Sequence, residues 1–361
     1  MLNQKEFFKD LKVVELASVL AGPAVGMFFA ELGATVIKVE NKNGGDVTRS
    51  WKNPNESIED DKSAYYHSVN WNKQVLHLDL TDKNDYAELL NHLQGADILI
   101  TNFKAGDDKK FNLVSDELIA KYPSLIIGEI AGYSDSEKVA YDAVLQAETG
   151  FMFLNGSQES GPLKMPIAMI DILAAHQLKE GILLGLINRA KTDRGCVVKV
   201  NLFDAAVASL ANQASNWLNS EYESPRMGSL HPNIAPYGET YKTKDEKLIL
   251  LAVGSDKQFH ALCEILDILE LISDERFSSN AARVKNRSIM NNLISDKFKS
   301  ELSSYWMNLF NQLNIPAGLV NSIGDVFKSD AANKKVIHQS EVNGSESKRV
   351  ETIAFIIDDG N

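Results

Sequence analysis

Cysteine is scarce in this chain: Cys196 and Cys263 are its only two, far apart and each in an apolar stretch. Neither a disulfide framework nor a zinc site is expected. Positive charge is also short, with 37 Lys and Arg against 49 Asp and Glu, a net charge of −12 and a pI near 5.1. That balance argues against a nucleic acid or an anionic membrane as partner, since either needs a basic face. A local basic cluster can still hold a phosphorylated ligand. No apolar run reaches the roughly 20 residues that cross a bilayer. The start, Met1-Leu2-Asn3-Gln4-Lys5-Glu6, lacks the basic-then-apolar order of a signal peptide. A soluble cytoplasmic protein is expected. The histidines (His67, His77, His92, His176, His231, His260 and His338) form no H-x-x-x-H pair beside an acid, and no G-x-S-x-G occurs. Metal catalysis and serine hydrolysis therefore have little support.

What the chain has is bulk. At 361 residues and 44% hydrophobic content it can bury a large core and divide into two domains. Leu11–Leu16 reads as a strand, Ala24–Leu32 as a helix and Thr35–Val39 as a second strand. That βαβ unit implies a parallel sheet. Asp97–Thr101 and Leu125–Glu129 add strands, each after a helical segment, Asp82–His92 and Ser115–Tyr122. Residues 41–75 are polar and aperiodic, as in a long excursion near a ligand or partner chain. A long helix over Ala168–Arg189, a strand over Val197–Leu202 and a helix over Ala205–Trp217 follow. Residues 218–240 hold Pro225, Pro232, Pro236 and two glycines and read as a linker. Beyond it come a strand, Leu248–Val253, and helices over Asp256–Leu269, Ala281–Arg287 and Ile289–Leu302, ending near Ile315–Gly318. A polar stretch, Gln339–Lys348, precedes a last apolar strand, Thr352–Ile357.

Asp171 stands alone as a carboxylate in the apolar run from Met165 to Ala175. A lone carboxylate out of water needs a reason. It can cap the helix that begins near Ile172, or serve as a nucleophile kept ionised by the helix terminus and shielded by its neighbours. The turn Ala21-Gly22-Pro23-Ala24-Val25-Gly26, with Glu40 ending the second strand, has the layout of a dinucleotide site. Pro23 breaks the G-x-G-x-x-G spacing, so a Rossmann-like scaffold for another ligand is the better reading. Lys38, Lys42, Arg49, Lys104, Lys109 and Lys110 fall near strand ends, where they are either solvated surface charge or a shared phosphate site.

Leu20-Ala21-Gly22-Pro23, then Glu31 through Glu40, then Gly45-Asp46-Val47-Thr48-Arg49 closely resemble the opening of the family III CoA-transferases. The similarity runs on through Asn72-Lys73, Leu78-Asp79-Leu80, Asn102-Phe103, Tyr141 to Ala147, Asp171 and Arg194-Gly195. It resumes at His231 to Tyr237, Gln258-Phe259, Asp274 to Phe277 and Ile315 to Gly318. The resemblance implies an α/β fold: a Rossmann-like parallel-sheet large domain plus a smaller α+β domain, in an interlocked homodimer. The expected organisation is a large domain over 1–217, a linker over 218–240, a small domain over 241–314, and a return segment, 315–361.

The resemblance further implies that Asp171 attacks an acyl-CoA thioester, passes through an anhydride and an aspartyl-CoA thioester, and hands CoA to an incoming carboxylic acid. Such a mechanism needs no tightly bound cofactor, only the CoA thioester as substrate. It places Leu20 and Ala21 at the CoA site and Asn41 near its adenosine end. Leu78, Asp79, Leu80 and Thr81, with Asn102, Phe103 and Lys104, would wall the groove. Lys110 would reach the phosphates, and Tyr141 and Asp142 would lie beside the nucleophile. The chain departs from the family pattern at Asn41, Lys104-Ala105, Lys110, Ala175 and Cys196, and it lacks a glycine-rich loop near residue 230. Two alternatives are an α-methylacyl-CoA racemase-like proton transfer and a non-catalytic CoA-binding homologue. A racemase needs a histidine before Asp142, where this chain has Tyr141, a poor base at neutral pH.

Overall fold

The computed structural model describes residues 4–134, 138, 140–340 and 346–358, so Met1–Asn3 and part of the polar stretch after Gln339 lie outside the described residues. The chain forms two compact units. The first comprises residues 1–154, 163–224 and 334–361, and the second comprises 155–162 and 225–333.

The first unit is built on six parallel strands: β1 (Lys12–Glu15), β2 (Thr35–Asn41), β3 (Lys73–Leu78), β4 (Ile98–Thr101), β5 (Ile126–Ala131) and β6 (Val197–Asn201). Their order is β3-β2-β1-β4-β5-β6, which reverses direction between β1 and β4. In open α/β sheets, ligands bind outside the carboxyl ends of the strands at that reversal. The helices between them are α1 (Ala21–Glu31), α2 (Ala64–Val69), α3 (Lys83–Leu93), α4 (Asp107–Lys110) and α5 (Ser115–Lys121). After β5 come α6 (Asp142–Glu148), α7 (Phe151–Leu154) and α8 (Met169–Thr192), and after β6 come α9 (Leu202–Ala208) and α10 (Ala211–Ser220).

Alternation along the strands divides the core. Val13, Val36, Ile98, Ile100 and Ile126 face one side and pack with Phe29 of α1 and Ile170, Ala174, Leu178 and Ile182 of α8. Val14, Ile37, Leu99 and Ile127 face the other and pack with Leu89 and Leu93 of α3 and Leu118 of α5. Strands buried on both faces carry short apolar runs, and Val13-Val14, Ile98–Ile100 and Ile126-Ile127 made β1, β4 and β5 legible. β3 was not: it is an edge strand, Gln74 and His77 are exposed while the Lys73 ammonium is buried, and it lies partly inside the stretch read as an excursion.

Other expectations need correction. The helix expected over Ala205–Trp217 is two, broken where Ala211 takes φ 48°. The expected strand Thr352–Ile357 is not a strand. Side chains take its polar groups: Gln4 donates to the Phe355 carbonyl, Lys335 donates to that of Ile353, and the Thr352 N–H reaches Glu31 (3.0 Å). A hairpin precedes it, β10 (Val336–Ser340) and β11 (Glu346–Val350). Buried Glu31, at the end of α1, thus holds Thr352 by amide and hydroxyl and also pairs with Arg349 at 2.6 Å.

The second unit is an antiparallel sheet with helices. β7 (Tyr237–Lys242), which begins inside the stretch read as linker, pairs with β8 (Leu248–Ala252), and β8 pairs with β9 (Ala317–Leu319). Its core joins Ile249 and Leu251 to Phe259, Phe277, Phe298, Trp306 and Phe310, with Tyr241 stacked on Phe298 at 4.8 Å. Arg283 is buried in it, bonded to the Ala235 and Phe277 carbonyls and to Asp256.

Candidate active site

The turn after β1 lies at the sheet reversal. Asn102, just past β4, accepts from the Ser18 N–H (3.0 Å) and donates to the Ser18 carbonyl (2.8 Å). Lys38 of β2 donates to the Ala17 carbonyl (2.8 Å), and the Val19 N–H points to Asp46 (3.3 Å to Oδ2). Leu20 and Ala21 follow directly, at the start of α1.

Beneath this turn lies a buried ionic network. Lys38 pairs with Glu15 and with Asp46, each at 3.0 Å, and Lys73 pairs with the same Glu15 at 2.8 Å. Lys73 also donates to the Pro23 carbonyl and to Asn70. Glu40 accepts from Arg49, from the Tyr66 hydroxyl (2.7 Å) and from the Asp46 N–H (2.8 Å). Three cations face three carboxylates, which offsets the desolvation of each. Burial alone would raise the Glu40 carboxyl, but the Arg49 and Tyr66 hydrogen bonds outweigh it and hold it at about 2. Burial lowers the Lys73 ammonium to about 8, only partly countered by Glu15. Burial also works against Lys38, but Glu15, Asp46 and Glu40 prevail and hold it above its ordinary value.

These bonds decide two readings that the sequence left open. Glu40 is not a free ribose acceptor, because both its oxygens are taken. Lys38 and Arg49 are not a phosphate site, because each is committed to a buried carboxylate. Lys42 pairs with Asp85, while Lys104, Lys109 and Lys110 remain exposed near the end of β4.

The second cluster forms where α6 meets α8. In a parallel crossover the helix runs antiparallel to its strands, so the first turn of α8 also lies at the carboxyl edge of the sheet. Asp171 is the third residue of that helix and is 9% exposed. It does not cap it: the capping position is Ala168, and no side chain of this segment closes the end. Asp142 does that work from α6, its Oδ1 accepting the Ile170 N–H at 2.8 Å. Its Oδ2 accepts from Gln146 (2.7 Å). Gln146 in turn accepts the Met165 N–H (2.8 Å) and donates to the Ile167 carbonyl (3.3 Å), fixing the approach to Asp171.

The two carboxylates are therefore unequal. Both oxygens of Asp142 are occupied, whereas among the described residues no group donates to Asp171. Burial, followed by the charge of Asp142, pushes the Asp171 carboxyl up to about 7. Tyr65, in the first turn of α2, lies near enough for its hydroxyl to feel both. Burial first, then Asp171, Asp142 and Asp46, push that hydroxyl to about 12, so it stays a hydrogen-bond donor at neutral pH. It has no hydrogen-bond partner among the described residues, and its ring meets Trp51 edge-on at 5.1 Å. Sequence reasoning missed Tyr65; the available signal was Ser63, a helix-capping residue, opening an aromatic pair inside an otherwise polar stretch.

Of the expected site residues, Leu20, Ala21, Asn41, Leu78–Thr81 and Asn102–Lys104 gather at the carboxyl ends of β1 to β4. Asn41 pairs in register with Leu78. Leu78 is buried, and Asp79 closes its own turn by accepting from Thr81, so its carboxylate is partly spent. Lys110 ends α4, over the Phe111 ring. Tyr141, 60% exposed, precedes α6, beside Asp142.

An all-parallel doubly wound domain with a buried carboxylate at its ligand edge, to which no group donates among the described residues, is the framework of an α/β enzyme. The model of CoA-transferase family III matches residues 8–358, and the chain belongs to this family. It is 33% identical to human succinyl-CoA:glutarate CoA-transferase over 98% of this chain and 80% of that protein. It is 36% identical to the succinate–glutarate CoA-transferase of Agrobacterium fabrum over 91% and 83%. The crystal structure of a CaiB/BaiF family protein from Brucella suis superposes with a TM-score of 0.87 at 35% identity, covering 97% of this chain and 92% of that one. The chain is a family III CoA-transferase.

Proposed function

We propose that this enzyme moves CoA from an acyl-CoA thioester to a carboxylic acid through covalent intermediates on Asp171. One observation carries the reading: of two buried neighbouring carboxylates, Asp142 is spent on structure and Asp171 is unpartnered. A carboxylate stripped of water and of donors is basic and nucleophilic. Its attack on the thioester carbonyl expels CoA thiolate and leaves a mixed anhydride. The thiolate then attacks the Asp171 carbonyl, giving aspartyl-CoA and releasing the first acid. The incoming carboxylate attacks aspartyl-CoA, again expelling thiolate, which takes the new acyl group and returns Asp171 as the free carboxylate. In this reading the Tyr65 hydroxyl, whose ionisation feels the charges of Asp171 and Asp142, donates to an oxyanion formed near Asp171.

In this reading Leu20, Ala21, Asn41, Leu78–Thr81, Phe103 and Lys104 line the CoA path, Asn102 stands behind it with its amide spent on Ser18, and Lys104 and Lys110 draw the phosphates as point charges. Short dicarboxylic acids are the proposed substrates, because relatives over 90% of the chain are named for succinate and glutarate. Nothing favours α-proton transfer, since Asp142 is fully bonded and Tyr141 stands in solvent. An interlocked homodimer is supported by apolar surface left open on the first unit: Leu184 and Ile187 of α8, and Trp217 and Leu218 of α10. Among the described residues no helix is long and apolar enough to cross a membrane.

The test is hydroxylamine trapping during turnover with succinyl-CoA and glutarate. Mass analysis is expected to find a hydroxamate at Asp171 and no transfer in Asp171→Ala. Full transfer by Asp171→Ala would overturn the mechanism, and light scattering showing a monomer would overturn the dimer.

A further inference from the structure

Val19, between β1 and α1, takes φ 72°. Glycine would sit there freely, but a β-branched residue is strained by about 1–3 kcal/mol in that region. Such a conformation persists only where the surroundings impose it. Among the described residues, Ala17 to Val19 make no backbone-to-backbone hydrogen bond. Side chains from three other places hold the turn instead: Lys38 takes the Ala17 carbonyl, Asn102 takes both polar groups of Ser18, and Asp46 faces the Val19 N–H. Two of the three are themselves locked by the buried network, since Lys38 and Asp46 pair at 3.0 Å and Asp46 also accepts from Thr48.

We propose that Lys38, Asp46 and Asn102 are positioning residues for CoA transfer, a harness that keeps Val19 left-handed so that Leu20 and Ala21 present the start of α1 to the thioester. Released from the harness, residue 19 relaxes to negative φ, the peptide between Ser18 and Val19 rotates, and the substrate-facing backbone that follows it moves. The charged residues that make the opening of this chain so recognisable then act through the turn and do not touch substrate. Asp46 gives the harness a second reach. The same side chain that faces Val19 caps the turn at Val47–Ser50, on the segment that leads to Tyr65. The proposal rests on the reading of Leu20 and Ala21 as substrate-facing.

The experiment compares Asn102→Ala and Asn102→Asp, each alone and combined with Val19→Gly, in CoA exchange between succinyl-CoA and glutarate, with urea midpoints measured alongside. Asn102→Asp keeps the acceptor for Ser18 N–H and loses the donor to its carbonyl, so it reports even if the alanine variant does not fold. Each single variant is expected to lose about tenfold or more in kcat/KM, the factor to which such strain converts. Val19→Gly is expected to recover most of that loss, because glycine holds the turn without the harness. Loss without recovery would mean that Asn102 acts on substrate directly, and an unchanged kcat/KM with a lowered urea midpoint would mean a purely structural role. Either result overturns the proposal. Activity retained by Asp171→Ala would sink the covalent mechanism alone, because recovery by Val19→Gly is a ratio that does not depend on which group attacks the thioester.

Discussion

Replacing Asp171 with asparagine is expected to make the protein more stable and inactive at once, with a gain in stability that depends on pH. The fold raises the carboxyl from 3.8 to about 7 by burying it and setting Asp142 beside it. A raised acid pKa means the native state favours the protonated form. Its stabilising contribution is complete below about pH 4 and is lost as pH rises through about 7. At 1.36 kcal/mol per unit, the ionised side chain costs the native state at most roughly 4 kcal/mol above pH 7. Asparagine carries no charge and escapes that cost. Between about pH 5.5 and pH 8.5 only the last one and a half units are titrated, so the advantage of Asp171→Asn is expected to widen by about 2 kcal/mol. Urea unfolding at the two pH values, at one fixed protomer concentration, measures it. A constant gap, or one that closes as pH rises, would refute the reasoning. The same ionisation is expected in kcat/KM of the wild-type enzyme, rising with pH to a plateau above about 7.

Three further outcomes are expected. Tyr65→Phe removes a hydroxyl that feels the charge of the carboxylate pair and is expected to lower kcat by about a hundredfold or more with the urea midpoint unchanged; full activity would remove Tyr65 from the mechanism. Gly26→Ala places a methyl 1.8 Å from a Glu15 carboxylate oxygen, prising it from Lys73 and Lys38. A loss of about 3–5 kcal/mol in unfolding free energy is expected, and a loss below 1 kcal/mol would show that the network has slack. Lys104→Ala with Lys110→Ala is expected to raise KM for the CoA thioester about tenfold at unchanged kcat, more so at low salt. A fall in kcat alone would place those lysines elsewhere.

The parts of this molecule that were legible in its sequence share a physical property: they are repetitive. The apolar centres of β1, β4 and β5 and the buried face of the long helix α8 pack into the core, and burial writes a pattern. Asp171 stood out because it interrupts one. What was not legible was pairing at a distance. Lys38, Glu40 and Arg49 look like surface charge in a string of letters, since nothing local reveals that Glu15, Asp46 and Tyr66 consume them. Asp142 and Asp171 are equivalent as letters, and only the bonds to Ile170 and Gln146 tell the structural acid from the free one. β3 hid for a related reason: as an edge strand it has one covered side, and its first residue is a lysine whose ammonium is buried. The expected strand at Thr352–Ile357 failed in reverse, apolar by composition but with Phe355 and Ile356 left exposed.

Glu31 sets an order of events for the growing chain. Its buried carboxylate is formed early, at the end of α1, yet its partners Arg349 and Thr352 are over 300 residues away. Everything between, including the whole second unit, is synthesised before they arrive, and domains fold as units as they emerge. Until then the Glu31 carboxylate lacks the two partners that hold it in the complete fold. A chain cut before residue 346 keeps all six strands of the sheet and every residue of the proposed site, yet strands that carboxylate for good.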